Sequence, residues 1–107
     1  MALLQIDIQG LPTTPLDAAA EFYASELPEI RDDSDIHEQH DLVIVFDPAG
    51  DDHRAWRLAV IQELAREMAP RRVNGIVGAD AFAISEAIAY LDVAPGVTGQ
   101  LLSVQTG

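Results

Sequence analysis

Cysteine and lysine are both absent from this chain, and each absence removes a class of chemistry. Without cysteine there is no thiol nucleophile, no disulfide and no thiolate-ligated zinc. Without lysine there is no Schiff-base amine, no phosphate-gripping P-loop lysine and no tyrosine–lysine catalytic pair. All six basic residues are arginine, and against 18 acidic residues they leave a formal net charge of -12. Such a surface repels phosphate backbones and anionic membranes, so nucleic acid and lipid are poor partners. Cations, or a basic patch on another protein, suit it better. No apolar run approaches the ~20 residues of a membrane span. The opening MALLQIDIQ has no basic region and meets a charge early, which argues against a signal peptide and for a cytoplasmic location.

What the chain does have is apolar content, 49% of 107 residues, enough for one packed domain over 1–107. Leu3 to Ile8 mixes an apolar run with alternation, the mark of a partly buried strand. Gly10-Leu11-Pro12 breaks it, and Thr13 or Thr14 caps a helix over about 15–27, with Pro15 and Asp17 in its first turn. Leu16, Ala19, Ala20, Tyr23 and Leu27 recur at spacings of three and four and are expected to face the core. The segment 29–41, EIRDDSDIHEQHD, turns acidic and loses periodicity. It reads as a solvated connector, helical at most at its start.

Leu42 to Phe46 is the clearest strand, five consecutive apolar residues suited to a position covered on both faces. Asp47-Pro48-Ala49-Gly50 turns the chain, and Asp51 or Asp52 is expected to cap a helix over about 52–69. On that helix Leu58, Val60, Ile61, Leu64, Ala65, Met68 and Ala69 spread over about half the circumference at 100° per residue, wider than one sheet face requires. Trp56 falls outside the arc, beside Glu63 and Glu67. The expectation is a helix that packs on the sheet and also on another subunit, with Trp56, Leu58, Ile61 and Ala65 at the interface. A strand at 72–77, a cap at Asp80, a helix at 81–91 and a closing strand at 101–104 complete a β-α-β-α-β-α-β order. Alternation of this kind argues for an α/β fold with a mainly parallel sheet.

At this point four pieces line up: ELAREMAP, RVNGIVG, SEAIAYL and APGVTGQLLSV. In order and spacing, over about Asp41 to Gly107, they resemble the C-terminal half of the short-chain dehydrogenase/reductase family. The resemblance implies a three-layer, Rossmann-like mini-domain. It also implies a last helix on the opposite sheet face from the others, by a left-handed crossover that general connection rules disfavour. No catalytic residue carries over. The family's lysine position falls on Arg54 and its tyrosine position on Gly50, and the serine-bearing loop is reduced to DPAGDD. The Gly-rich dinucleotide fingerprint has no counterpart, so no nucleotide cofactor is expected. Gly50 offers no side-chain proton, and Arg54 is too basic to relay one.

Two other constellations remain. His37 and His40, spaced i, i+3 beside Asp35, Glu38 and Asp41, are the metal-ligand candidates. HEQH is not the HExxH zinc pattern, and a solvated connector accounts for it. Asp47, Asp51, Asp52, His53 and Asp80 belong to the carboxyl ends of the strands, where parallel sheets place ligand crevices. Helix capping explains several of them without any ligand.

Two functions follow. One is a non-catalytic domain whose role is association, as a homodimer or higher oligomer through helix 52–69, or with a larger dehydrogenase-like enzyme. In the resembling family the corresponding helix builds the main subunit interface. The other is a small-molecule or cation-binding enzyme built on the acidic rim.

Overall fold

A computed structural model describes residues 3–105, so the expected domain limits at 1 and 107 lie outside the described residues. Four strands form one sheet in the order β1-β2-β3-β4: β1 (Leu3–Ile8), β2 (Asp41–Phe46), β3 (Val73–Val77) and β4 (Leu101–Ser103). Every neighbouring pair is parallel. The helices are α1 (Pro15–Glu21), α2 (Leu27–Ile36), α3 (Arg54–Met68) and α4 (Ala81–Asp92). The architecture is the expected three-layer α/β sandwich.

All six residues of β2 are buried, as a central strand with cover on both faces demands. Its alternation sorts the core into two halves. Leu42, Ile44 and Phe46 face Phe22, Ile30, Val60, Ile61 and Leu64 from the first three helices. Val43 and Val45 face Ile76 and Leu91, with Ile84 and Ile88 of α4 alongside. Strand order follows chain order, yet α4 lies on the other face. The last connection therefore has the opposite hand to the first two, as the resemblance implies.

The first helical stretch departs from expectation. Residues 29–41 are not one connector: α2 carries the chain in helix to Ile36, joined to α1 by a π-helical turn at Phe22–Glu26. Pro28 occupies the first turn of α2, and the widened turn before it relieves the missing N–H and the ring's clash with the preceding carbonyl. The buried stripe differs from the expected one before the turn, and the turn re-phases it afterwards. Inward positions are Ala18, Phe22, Ile30 and Ser34, while Leu16 is 86% exposed and Tyr23 46%. After Phe22 the next residue packed on the core is Leu27, one position later than helical periodicity allows. Phe22 sets the phase because it is the largest side chain there, with its ring 5.6 Å from Trp56 and 6.0 Å from Phe46.

The amino-terminal ends of the strands are tied by polar contacts. Arg72 donates from Nε to Asp41 (2.8 Å) and from Nη1 to the carbonyls of Leu91 (2.8 Å) and Ala94 (2.6 Å) at the end of α4. Asn74 donates to the Val97 carbonyl and accepts from Gln100 N–H, both at 3.0 Å, which fixes the loop before β4. Arg71 donates to the His37 and His40 carbonyls. These contacts close the end of the sandwich away from the ligand crevice that such folds use.

Candidate functional site

At the carboxyl ends of the strands the chain makes three short exits: Gln9–Thr14 after β1, Asp47–Gly50 after β2 and Gly78–Asp80 after β3. The five rim residues reach this end, where four of them border adjoining hollows, Asp51 and His53 sharing a small one between the two larger. Asp51 and Asp80 border one depression of about 380 Å³, beside Gly78 and Ser103. Asp47 and His53 border another of about 310 Å³, walled by Leu11, Pro12 and Pro48. Asp52 lies exposed in the 3₁₀ turn Asp51–His53.

Helix capping is redistributed as well. Asp80 caps α4, accepting from Ala83 N–H at 2.8 Å. Neither Asp51 nor Asp52 caps α3. A 3₁₀ turn intervenes, the residue before α3 is His53, and no side chain caps either segment. His53 is buried with both ring nitrogens engaged. Trp56 Nε1 donates to Nδ1 at 3.1 Å, so the ring proton sits on Nε2 and is donated to the Thr13 carbonyl at 2.9 Å. This histidine joins the β1 exit to the start of α3.

Trp56, expected at an interface, is half-buried and packed against the core, held by His53, Phe22 and Phe46. Ile61 is also turned inward, at 0% exposure against the sheet. Leu58 and Ala65 are half-buried at the margin of the same core. The wide apolar arc of α3 is largely consumed by β2, β3 and the first two helices.

Arg57 is the residue that sequence reading passed over. It sits on the inward face of α3, one turn before Val60 and Ile61, and only 4% of it is exposed. Its guanidinium lies 4.7 Å from the centre of the Phe46 ring. Nη1 donates to the Asp47 carbonyl at 2.9 Å, and Nη2 approaches Asp47 Oδ1 only to 3.6 Å. Nε is buried without a partner. Desolvation lowers its pKa from the ordinary arginine value, against the smaller opposing effect of Asp47. The available signal was a charge on an otherwise apolar helical stripe.

His37 and His40 stack edge to face with ring centres 5.3 Å apart, and His40 Nδ1 is buried without a hydrogen-bond partner. Among the described residues no group of three metal-ligating side chains comes together, there or on the rim.

Gly50 and Arg54, which the resemblance sets at the family's tyrosine and lysine positions, are both exposed and border a hollow of about 50 Å³. Small-molecule sites usually enclose at least ~300 Å³. A side chain at Gly50 would put its Cβ 2.8 Å from Asp52 Oδ1, so a residue of any size there displaces that carboxylate.

Comparison with curated proteins and with solved structures gives no match. A family model does match, and over more of the chain than the segment from Asp41 onward, because it takes in β1 and the first helices. Residues 6–104 fit the SDR-like family, described as short chain dehydrogenase-like protein, and the chain belongs to that family.

Proposed function

We propose that this chain is a non-catalytic member of its family whose role is association, with a second copy or with a larger dehydrogenase-like enzyme. The carrying observation is the outer side of α3 together with the groove beside it. Ala55, Ala59, Gln62 and Ala69 are exposed there, and Leu58 and Ala65 are half-exposed. Between α2 and α3 runs a groove of about 450 Å³, floored by Leu27, Val60 and Leu64 and rimmed by Arg31, Glu63, Arg66 and Glu67. An apolar floor within a charged rim is the anatomy of a protein-binding surface. The cytoplasm is the proposed site of action. Among the described residues no helix is long and apolar enough to cross a membrane.

Ala59→Arg tests the reading better than a change at Leu58, because Ala59 is exposed and its replacement leaves the core intact. Sedimentation velocity of both proteins, with circular dichroism to confirm folding, should show self-association in the wild type and its loss in the variant. A wild type that is monomeric at high concentration and captures no dehydrogenase-like protein overturns the proposal.

Arg57 supports the second reading, a small-molecule or cation-binding enzyme on the acidic rim, in its small-molecule form only. Arg57 lines the 310 Å³ hollow, and its positive charge there favours an anionic group of a small molecule. Thermal shift with divalent metals, nucleotides and acyl thioesters separates the two, and no stabilisation by any of them counts against the enzyme.

A further inference from the structure

The sheet has two unequal edges. β4 is three residues long, short enough to offer a partner little. β1 has six residues, pairs on one side with β2 alone, and contains no proline or lysine, two common guards of an exposed edge. Among the described residues no other backbone group bonds to it. On the face that α4 covers, the helix packs over Val43, Val45 and Ile76, and of β1 only Leu3 joins that cluster. Gln5 and Asp7 are left exposed on that face, while Leu4, Ile6 and Ile8 turn to the other.

We propose that β1 is a self-pairing edge, at which a second copy of this chain adds its own β1 antiparallel and extends the sheet across both molecules. The occupant follows from the side-chain pattern. With the two-fold axis at Ile6, Gln5 stands opposite the partner's Asp7, and Asp7 opposite the partner's Gln5. Leu4 then meets the partner's Ile8 on the apolar face. An amide donor faces a carboxylate acceptor twice, the same chemistry that joins Gln5 Nε2 to Asp7 Oδ1 at 3.0 Å within one chain.

Neighbouring registers lack this match. A one-residue slip puts Ile6 opposite the polar side and breaks the continuous apolar face. Moving the axis to Asp7 sets two carboxylates directly against each other, which in a chain of net charge -12 nothing nearby offsets. Gln5 and Asp7 border a depression shared with Ala81, Ile84 and Ser85 at the start of α4, which flanks the row on the side of β2 and leaves the outer edge of β1 free for pairing. This surface is separate from α3, and association through α3 stands or falls without it.

Two substitutions at the exposed Gln5 leave the fold alone and move the pairing in opposite directions. Gln5→Asp sets Asp against the partner's Asp7 and should weaken the dimer about tenfold, whereas Gln5→Lys should tighten it. Sedimentation velocity over a concentration series reads both changes, with Ala59→Arg run alongside. Amide exchange along β1 should slow as the wild type associates. A wild type monomeric throughout, equal association by both Gln5 variants, or β1 exchange independent of concentration overturns the proposal. Loss on Ala59→Arg with no change on Gln5→Asp overturns it too, while leaving the α3 interface in place.

Discussion

Arg57 and Arg72 are both largely buried arginines beside an aspartate, yet their surroundings differ. Arg72 reaches a carboxylate and two helix-end carbonyls, and its partner Asp41 is itself only 4% exposed at the side chain. Removing that cation strands a buried carboxylate. Arg72→Met should therefore cost about 3 kcal/mol in denaturant unfolding followed by circular dichroism. Arg57 holds a carbonyl and a loose 3.6 Å contact to an Asp47 that is 45% exposed and able to hydrate once released. Arg57→Met keeps the packing on Phe46 and relieves a desolvated charge, so stability should change by no more than about 1 kcal/mol. A loss as large as that for Arg72 would mean the Asp47 contact is much stronger than its geometry. Neither role was legible in the sequence. An arginine on an apolar stripe signals burial, but that Arg57 meets Asp47 loosely while Arg72 meets Asp41 and the end of α4 is decided by the fold.

At the scale of elements, strand positions were read more accurately than helix phase. A buried strand in a parallel sheet is a short apolar run, and LVIVF admits one reading. The first helix was read with a stripe through Leu16, Ala19, Ala20, Tyr23 and Leu27, whereas the buried one runs through Ala18 and Phe22 and is carried on to Ile30 across the π turn. That turn depends on how Phe22 seats against Phe46 and Trp56, which no local spacing encodes. Close approach between α3 and the sheet is set by Gly75 of β3. A Cβ there would lie 2.8 Å from Leu101 Cδ1 and 2.9 Å from Ile61 Cγ1. Gly75→Ala should thus cost about 1–3 kcal/mol by overpacking, measured by chemical denaturation. A neutral result would show that α3 shifts freely on the sheet.

Across the whole molecule, one ion pair spans the α2–α3 groove. Arg31 donates from Nε and Nη2 to the two carboxylate oxygens of Glu67 at 3.0 and 2.7 Å, joining segments 36 residues apart. The hydrogen bond from Arg31 lowers the Glu67 pKa, with burial opposing it. A carboxylate depressed in the folded state stabilises above its unfolded pKa of about 4.3, and that contribution is lost as pH falls through the lower folded value. Comparing Glu67→Gln with wild type by thermal melting should show a lower midpoint for the variant at neutral pH. The gap should close in acid and shrink in salt, since both partners are about half-exposed. A gap unchanged in acid would show that the ion pair is not its source.

The sequence by itself determined the α/β alternation, the four strands, the buried middle strand and the family, because each rests on local patterning that survives folding. That neither Gly50 nor Arg54 can supply or relay a proton was equally plain, since residue identity alone decides it. Only the tertiary structure decided which surfaces remain. It turned Ile61 into the core and packed Trp56 against it, set the rim residues around adjoining hollows and, among the described residues, left the outer edge of β1 unpaired. The reason is that exposure is not a property of a helix or strand alone. The wide apolar face of α3 looked like spare surface until the π turn and α2 brought Phe22 and Ile30 down beside it.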